Sequence, residues 1–483
     1  MLLKRFYHEG LAQASYLVGC QATAEGLVID PNRNIRQYLD AAEREGVRIV
    51  AVTETHIHAD FVSGARELAQ IAGAQLYLSD EGPVEWKYAY VAEAKAKLLH
   101  EGDSFWVGRV RVDVMHTPGH TPEHLSFLIT DTAGADRPMG VFTGDFVFVG
   151  DVGRPDLLEK AAGVSGSMQQ GARQLFQSLQ RFKALPDYLQ IWPGHGAGSA
   201  CGRSLGAVPQ STTGYEKRFN WAFNVGAEEH SEEHFVRSVL KGQPEPPPYF
   251  AQMKQVNKRG PAPVPANELY QGSLADLERA LATDGPVVDV RSALDYAERH
   301  IAGSINISAG NAFLSWAGWL MPYDQEIGLI GDEQSVREAH NEMLLIGLDQ
   351  VKGYWSPEVL DAWKASGREL SRLDRRGASE LKALVERHGL AGGEEVAVVD
   401  VRTPEEYREG HITGSLNIPL GHLTERLNEL PTNRTLVVHC EGGTRSPIAA
   451  SILEAEGRTN VIEMKDGFSA WQRADNHIEA NVR

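Results

Sequence analysis

The stretch TETHIHADF, residues 53–61, places two histidines and one aspartate in a single loop after a strand-like run, RIVAVTET (48–55). A loop at the end of a strand is a place where a rigid scaffold can aim several side chains at one point. Histidine and aspartate side chains are common metal ligands in proteins. His56, His58 and Asp60 are therefore candidate ligands of a metal ion.

Three later motifs repeat this arrangement of a ligand-type side chain in a turn after a strand-like run. HTPGHT supplies His120, FTGDF supplies Asp145 and WPGHG supplies His195. One histidine in a loop is more often solvated or packed than metal-bound, but four such motifs in order are hard to obtain by chance. The joint pattern indicates a metal site. The other histidines of this region are treated as background, or as residues behind the ligands: His8, His100, His116 and His124.

The surrounding sequence predicts an α/β domain over residues 1–241. Strand-like runs rich in Val, Ile and Phe alternate with longer helical patterns such as NIRQYLDAAEREG and SGARELAQIAG. The strand-like runs lie at residues 26–30, 48–55, 110–117, 124–130 and 140–149. A chain that mixes these two periodicities is typical of the α/β class.

The composition excludes several classes of protein. The 483 residues carry a formal net charge of −18, which is unfavourable for binding nucleic acid or an anionic membrane. No run approaches the roughly 18 apolar residues of a membrane helix, and the first residues lack the apolar core of a signal peptide. Three cysteines, Cys20, Cys201 and Cys440, are a poor disulfide framework. We therefore expect a cytoplasmic protein with reduced thiols.

Two changes of pattern divide the rest of the chain. Residues 242–265 are rich in proline, which disfavours regular helix and sheet, and we interpret them as a linker. Beyond it, GPVVDVRSALDYAERHIAGSINI (285–307) resembles EVAVVDVRTPEEYREGHITGSLNIP (395–419). Both segments keep Asp-Val-Arg, a short helical stretch and HI-x-GS-x-NI. They predict two copies of one fold, at residues 266–370 and 371–483.

The ordered motifs THIHAD, TPGHT, FTGD and WPGHG resemble those of the metallo-β-lactamase superfamily. The resemblance implies an αβ/βα sandwich with a metal at one edge. Dinuclear hydrolases of this superfamily have His-x-His-x-Asp-His, whereas Phe61 stands here in the place of the last histidine. Phenylalanine cannot bind a metal, so the second metal position loses a ligand and a single ion is favoured.

The persulfide dioxygenase branch of this superfamily holds one iron with two histidines and one aspartate. The resemblance therefore implies one Fe(II) per chain bound by His56, His120 and Asp145, with zinc as a substitute. Two histidines and one carboxylate with open positions suit non-haem Fe(II) and O₂. Three other side chains then either hydrogen-bond to the ligands or form a weak second metal site: His58, Asp60 and His195.

Three other residues of this domain have roles that the sequence leaves open. GDVGRPD (150–156) also resembles the dioxygenase branch, and its Arg154 either binds an anionic thiol carrier or forms a structural salt bridge. Cys201 closely follows WPGHG, so it should lie near the metal edge, as a sulfur relay or as a structural thiol. Cys20 lies in an apolar run and is predicted to be buried.

A second reactive group is predicted in TLVVHCEGGTRSPIAASILEAEG, residues 435–457. Cys440 opens a loop before a helix, where backbone N–H groups favour a thiolate. Arg445 adds a cation, and the Gly-Gly and Arg that follow Cys440 speak against a merely structural cysteine. The residues between them are predicted to bind the substrate: Glu441, Gly442, Gly443 and Thr444.

Together with DVR, GHITGSLNIP and MKDGFSAW (464–471), this segment resembles a rhodanese domain. The resemblance implies that Cys440 carries a persulfide. The earlier copy, residues 266–370, contains no cysteine, and DEQSVREAHNEM (332–343) stands in place of the active loop. We predict that this copy is catalytically inactive and serves packing, dimer contacts or domain placement.

These resemblances imply a persulfide dioxygenase fused to a sulfurtransferase, acting in the detoxification of sulfide and persulfide. The expected partners are a low-molecular-weight thiol persulfide, O₂ and sulfite, and the chain is expected to form a homo-oligomer. Sulfite formed at iron is expected to take the outer sulfur of Cys440 and leave as thiosulfate.

Two alternatives stay open. The first is a zinc hydrolase of the glyoxalase II type that cleaves a thioester; Asp60 and His195 favour it and Phe61 disfavours it. The second is a non-catalytic sulfur carrier or redox regulator, which needs Cys440 and no metal turnover. Metal analysis discriminates all three hypotheses.

Overall fold

The computed structural model describes residues 1–162, 166–203, 205–224, 232–265, 269–283, 285–388, 395–474 and 478–479. The chain divides into two compact units. Unit 1 contains Met1–Pro265 with Leu344–Gly347, and unit 2 contains Ala266–Met343 with Leu348–Arg483. Within the described ranges, no helix has both the length and the apolar character that crossing a membrane requires.

Unit 1 contains two six-stranded sheets. The elements of the first sheet are β1 Leu2–His8, β2 Gln13–Cys20, β3 Glu25–Ile29, α1 Arg36–Arg44, β4 Arg48–Thr53, α2 Ala65–Ala72, β5 Gln75–Ser79 and β6 Lys97–Leu99. Its strands lie in chain order, antiparallel from β1 to β3 and parallel from β3 to β6.

The elements around the second sheet are β7 Ser104–Val107, β8 Val110–His116, β9 Leu125–Asp131, β10 Gly140–Gly144, α3 Leu157–Ala162, α4 Ser167–Lys183, β11 Gln190–Pro193, β12 Ser211–Thr212, α5 Thr213–Phe219, α6 Glu232–Leu240 and α7 Tyr249–Arg259. The strand order runs from β12 back to β7, and only β10 and β11 are parallel neighbours.

Apolar side chains hold unit 1 together in four layers. Val18 of the first sheet and Phe127 of the second belong to one buried cluster, so the two sheets pack face to face. Leu68 of α2 covers the outer face of the first sheet, while Leu175 of α4 and Phe235 of α6 cover the second. Burying one such side chain contributes about 1.5–3 kcal/mol. The layers confirm the predicted αβ/βα sandwich.

The prediction of a linker at residues 242–265 is wrong, because helix α7 forms within this segment and packs on unit 1. Tyr249, Phe250 and Met253 are buried on one face of this helix, which is the spacing of an amphipathic helix. The prolines cluster before and after the helix and interrupt it nowhere. Proline-rich flanks therefore bound a helix here and do not replace it.

Unit 2 contains the two predicted copies. The elements of copy 1 are β13 Tyr270–Gln271, α8 Leu274–Ala282, β14 Val287–Asp289, α9 Ala293–Glu298, β15 Ile305–Asn306, α10 Phe313–Leu320, β16 Ile327–Ile330, α11 Glu333–Leu345, β17 Val351–Trp355 and α12 Val359–Ala365. The last two residues of α11 belong to unit 1.

The elements of copy 2 are β18 Asp374–Arg376, α13 Ala378–His388, β19 Val396–Asp400, α14 Pro404–Glu409, β20 His411–Ile412, β21 Leu416–Asn417, β22 Thr435–His439, α15 Ser446–Ala455, β23 Val461–Met464, α16 Gly467–Arg473 and β24 Ile478–Glu479. Both copies build a five-stranded parallel sheet with the same topology, β13-β17-β16-β14-β15 and β18-β23-β22-β19-β21. The internal repeat in the sequence is therefore a repeat of the fold.

The repeated sequence signature has a structural role. In copy 2, Arg402 forms a bidentate pair with buried Asp400, and the Asn417 amide donates to the carbonyl oxygens of both residues at 3.0 and 2.9 Å. Asn306 makes the same two hydrogen bonds in copy 1, at 2.9 and 3.0 Å. The shared Asp-Val-Arg and Asn-Ile thus fix the turns after the central strands.

The two copies differ where copy 2 carries its cysteine. Between β22 and α15 lies a six-residue loop, 440–445, whereas only Gly331 and Asp332 separate β16 from α11. Asp332 accepts a hydrogen bond from the Ser335 backbone N–H at 3.0 Å and thereby caps the helix at once. Copy 1 therefore lacks the loop as well as the thiol.

Candidate metal centre and sulfur-transfer loop

Three of the predicted ligands meet at one edge of the sandwich. His56 follows β4, His120 lies between β8 and β9, and Asp145 follows β10. One ligand atom from each lies within 4.8 Å of the other two, and all three side chains are buried. The Asp145 Oδ2 atom is 3.6 Å from His120 Nε2. The ends of three separate strands thus aim two imidazoles and a carboxylate at one point.

Hydrogen bonds fix which nitrogen each imidazole offers. Thr55 Oγ1 donates to Asp30 at 3.0 Å, so the same oxygen accepts from His56 Nδ1 at 2.9 Å. His120 Nδ1 donates to the Arg154 carbonyl at 3.0 Å. Both rings therefore turn a free Nε2 lone pair towards Asp145, which is the way that metal-binding histidines are oriented by outer partners.

A second cluster adjoins the first and contains Asp60, His195 and Cys201, again within 4.8 Å of one another and buried. His195 Nε2 is 3.2 Å from Asp60 and 3.5 Å from Asp145, so Asp145 lies between the two clusters. His195 Nδ1 donates to the Ala12 carbonyl at 3.0 Å, which leaves Nε2 facing the carboxylates. Cys201 therefore lies at the metal edge, as predicted, while its relay role stays a prediction.

The charge of these clusters fits a cation. The carboxylate oxygens of Asp60 and Asp145 are buried without a hydrogen-bond donor, which is costly unless positive charge lies beside them. Burial disfavours the imidazolium of His195, yet Asp145 and Asp60 raise its pKa well above the usual value. Burial raises the pKa of the Cys201 thiol to about 12. The donor set is thus suited to a metal ion, whose positive charge would take the place of the proton that the two carboxylates favour on His195.

His58 belongs to neither cluster within the described residues. Its Nε2 atom is 3.1 Å from Asp30 Oδ1, and although burial opposes it, Asp30 raises the pKa of His58 to about 9. The ring also lies against Phe61, with ring centroids 4.4 Å apart. The Nε2 atom of this ring is thus engaged by Asp30, while its Nδ1 atom is buried with no hydrogen-bond partner among the described residues.

The contacts of Arg154 favour the structural alternative, and its binding of a substrate stays a prediction. Its side chain is fully buried and forms a bidentate pair with Asp156, with both distances 2.8 Å. The guanidinium also donates to the Ala200 carbonyl at 3.0 Å and to the Pro244 carbonyl at 2.6 Å. Four of its five N–H groups thus donate to partners within unit 1.

Two residues that support the ligands were missed or treated as background. Asp30 follows β3 and has a φ of 52°, a left-handed conformation that is uncommon outside glycine. Its carboxylate accepts from the Thr55 backbone N–H at 2.6 Å. His124 Nε2 accepts from the Asp145 backbone N–H at 3.1 Å. The aspartate after a strand was a usable signal for Asp30, because THIHAD and FTGD show the same pattern.

Cys440 lies at the start of its loop as predicted. Its Sγ accepts hydrogen bonds from the backbone N–H groups of Gly443 at 3.1 Å and Arg445 at 3.3 Å. Gly443 has a φ of 90°, and a Cβ there would lie 2.0 Å from the Lys465 carbonyl. The loop therefore requires glycine at this position. Glu441 is paired with Arg402 at 2.8 Å, while Gly442 and Thr444 are exposed.

A buried chain of polar groups continues from Cys440 and was not predicted. The Ser446 hydroxyl donates to Glu463 at 2.8 Å, so its oxygen accepts the thiol hydrogen of Cys440 at 3.7 Å. Glu463 is fully buried and ion-paired with Arg375 of β18. The thiol thus faces backbone donors on one side and a hydroxyl held by a buried carboxylate on the other.

The Arg445 side chain lies beside Cys440 and joins the loop to α14. Its guanidinium donates to both carboxylate oxygens of Glu406, at 2.7 and 2.6 Å. Burial opposes the charge of Glu406, but this pair lowers the pKa of the carboxyl to about 2. Arg445 therefore ties the loop to the helix after β19.

Comparison with protein families gives two matches. The model described as the metallo-beta-lactamase superfamily matches residues 8–195, and the model described as the rhodanese-like domain matches residues 273–361 and 378–474. A crystal structure of a metallo-beta-lactamase from Staphylococcus aureus is 47% identical in sequence to this chain and superposes on it with a TM-score of 0.68. The match covers 74% of this chain and 99% of the Staphylococcus aureus chain.

Relatives of unit 1 have two different activities. The mitochondrial persulfide dioxygenase of Mus musculus is 28% identical over 40% of this chain and 68% of its own length. The hydroxyacylglutathione hydrolase of Rhodospirillum rubrum is 30% identical over 37% of this chain and 60% of its own length.

The rhodanese part has a relative of its own. A sulfurtransferase of Allochromatium vinosum is 37% identical over 84 residues, which are 17% of this chain and 78% of that protein. The fold, the converging ligands and the cysteine loop agree with these matches. The chain belongs to the metallo-β-lactamase superfamily and carries two rhodanese-like domains.

Proposed function

We propose that the chain is a non-haem iron persulfide dioxygenase coupled to a sulfurtransferase. The observation that supports the dioxygenase activity is the set of three ligands, His56, His120 and Asp145. The neighbouring second metal position lacks the histidine that dinuclear hydrolases of this superfamily have there. Phe61 occupies that sequence position, and His58 is engaged by Asp30. Two imidazoles and one carboxylate leave coordination positions for O₂ and a substrate sulfur.

In the proposed reaction, a persulfide R–S–SH, O₂ and one water give the thiol R–SH, sulfite and two protons. Fe(II) held by the three ligands would bring O₂ and the sulfur together and accept electron density. His56 and His120 are held in one orientation by Thr55 and by the Arg154 carbonyl. These ligand side chains are themselves buried.

The second half of the proposal assigns sulfur transfer to Cys440. A second persulfide gives its outer sulfur to the Cys440 thiolate and leaves as a thiol, and sulfite then attacks that outer sulfur. The sulfur–sulfur bond to Cys440 breaks, thiosulfate leaves, and the thiolate returns. The backbone donors of Gly443 and Arg445 stabilise this anion in both steps.

Oxygen uptake tests the proposal directly. Glutathione persulfide serves as the probe, and the products of the wild-type chain, Asp145→Ala and Cys440→Ser are measured. We expect Asp145→Ala to lose oxygen uptake. Cys440→Ser should consume oxygen at the wild-type rate but accumulate sulfite in place of thiosulfate. Thiosulfate formation at the normal rate by Cys440→Ser would contradict the proposed coupling.

The same variant tests the inactivity of copy 1. This copy has neither a cysteine nor a loop between β16 and α11. Sulfur transfer from thiosulfate to cyanide by the full-length Cys440→Ser chain should therefore fall to the rate of the uncatalysed reaction. Residual turnover above that rate would assign activity to copy 1.

A zinc-dependent thioester hydrolase is the second candidate function. The observation in its favour is the cluster of Asp60, His195 and Cys201, which adjoins Asp145 and offers ligands for a second metal. Hydrolysis of a glutathione thioester by the zinc-loaded chain, without oxygen uptake, would support this candidate over the dioxygenase.

A further inference from the structure

We propose that Asn257 of helix α7, which lies beyond the residues matched by the metallo-β-lactamase family, is a positioning residue for the metal-binding loop. The family match ends at residue 195, and the sequence around Asn257 carries no ligand motif. The structure nevertheless brings this side chain against the backbone of the loop that contains His58 and Asp60. The inference rests on the metal site alone and does not depend on which reaction that site performs.

The loop, residues 54–64, is buried although it contains no regular helix or strand apart from a single bridge residue. Buried backbone groups in such a segment need partners from outside it. The Ile57 N–H donates to Glu123 at 2.8 Å, and the Gly64 N–H donates to the Pro31 carbonyl at 2.8 Å. Between these two positions the Val62 N–H donates to the Leu345 carbonyl at 2.7 Å, and the groups on either side of Val62 need partners of their own.

Asn257 supplies partners for three of these groups at once. Its amide nitrogen donates to the carbonyl oxygens of His58 at 2.8 Å and Phe61 at 2.7 Å, and its amide oxygen accepts from the Ser63 N–H at 2.9 Å. The partners also fix the amide orientation, because two carbonyls can only face the NH₂ group. One side chain thus spans the turn on which Asp60 lies.

The helix that carries Asn257 is itself fixed to unit 1. Lys254 Nζ lies 3.5 Å above the ring of Trp86, and the Ala89 N–H donates to the Lys258 carbonyl at 2.9 Å. Met253 is fully buried on the same face as Asn257. A side chain on an anchored helix can hold a loop in one conformation, which is what metal ligands require of their supports.

Substitution of Asn257 should therefore weaken metal binding to a degree that the loss in thermal stability of the apo chain does not account for. Asn257→Asp keeps the acceptor for Ser63 but turns a carboxylate oxygen towards two carbonyl oxygens, and Asn257→Ser is too short to reach both sides. We expect each variant to bind Fe²⁺ about 10–100-fold more weakly, an effect like that of losing a partner behind a ligand, because the loop that Asn257 holds also carries His56.

The experiment adds Fe²⁺ anaerobically to the full-length apo chain and measures its transfer to a chromophoric chelator. Gln255→Glu makes the same kind of amide-to-acid change at an exposed position of this helix. Met253→Ala removes buried packing from the helix without removing a hydrogen bond to the loop. Thermal unfolding of each apo chain records the general loss of stability.

Weak Fe²⁺ binding in both Asn257 variants, with wild-type affinity in both controls, supports the proposal. Hydrogen exchange of residues 54–64 should rise in the same two variants. Wild-type Fe²⁺ affinity after substitution of Asn257 would overturn the proposal. An equal loss of Fe²⁺ affinity in Met253→Ala would also overturn it, because the affinity would then follow the stability of the helix.

Discussion

Asp30 Oδ1 accepts a hydrogen bond from His58 Nε2 at 3.1 Å, so this nitrogen of the second histidine of THIHAD carries a proton and offers no lone pair to a metal. The other oxygen of Asp30 accepts from Thr55 at 3.0 Å. Thr55 in turn accepts from His56 Nδ1. A single buried carboxylate therefore fixes both histidine rings, His58 directly and His56 through Thr55.

Asp30→Asn is expected to weaken metal binding about 10–100-fold. The amide removes the negative charge that raises the pKa of His58 and loosens the orientation of His56 through Thr55. The measurement is iron per chain after dialysis against a chelator. Asp40→Asn, an exposed position on α1, is the control. Equal iron retention in both variants would contradict the role of Asp30.

Phe61→His is expected to raise the number of zinc ions bound per chain from one towards two. The substitution restores the missing histidine beside Asp60 and His195, and Asp145 already lies between the two clusters. Phe61→Leu, which offers no ligand atom, should stay at the wild-type count. If Phe61→His binds no additional zinc, the absence of a histidine is not what limits the second position.

The polar chain behind Cys440 predicts a change in sulfur-transfer rate. Ser446→Ala removes the hydroxyl between the thiol and Glu463, and we expect turnover to fall about tenfold, the equivalent of one hydrogen bond. Ser451→Ala, a buried serine on the same helix that donates to the Ile448 carbonyl, should keep the wild-type rate. A comparable loss in both variants would indicate damage to α15 and no specific effect on the thiol.

The Arg445–Glu406 pair predicts a pH-dependent stability. Because the pKa of Glu406 is lowered to about 2, the pair stabilises the folded chain above the usual glutamate pKa. Its contribution is lost as the pH falls towards 2. It should be worth on the order of 2 kcal/mol after allowance for partial exposure.

Glu406→Gln is suited to measuring this effect, since glutamine still accepts the Thr403 N–H in the capping box. The difference in urea midpoint between wild type and this variant should be largest near pH 7 and shrink below about pH 4.5. Glu409→Gln, exposed on the same helix, is the control. A difference that does not change with pH would contradict the pair.

The layered fold and the repeat could be predicted because both depend on local sequence patterns, namely the periodicity of apolar residues and the repeated Asp-Val-Arg signature. The strand-like runs and the Asp-Val-Arg signatures form the expected elements. Helix α7 was missed because its flanking prolines dominated the interpretation, although Tyr249, Phe250 and Met253 already had helical spacing. An apolar face between two proline clusters was a usable signal.

The ligand-type residues of the metal edge were recognisable, because each one closes a strand. Their supports were not recognisable in the same way. Asn257 lies 199 residues from His58 in sequence, and Glu463 approaches Cys440 only through Ser446. Such contacts are determined by packing between distant elements, and no local spacing encodes them. Arg154 shows the converse, since this charged residue beside the ligands forms a bidentate pair with Asp156, only two residues away in the sequence.

The most direct test of the account determines metal content and oxygen uptake on one purified wild-type sample supplied with a thiol persulfide. The account predicts one iron per chain, with one O₂ consumed for each sulfite equivalent formed, counting thiosulfate as trapped sulfite. Two zinc ions per chain, with thioester hydrolysis and no oxygen uptake, would contradict it.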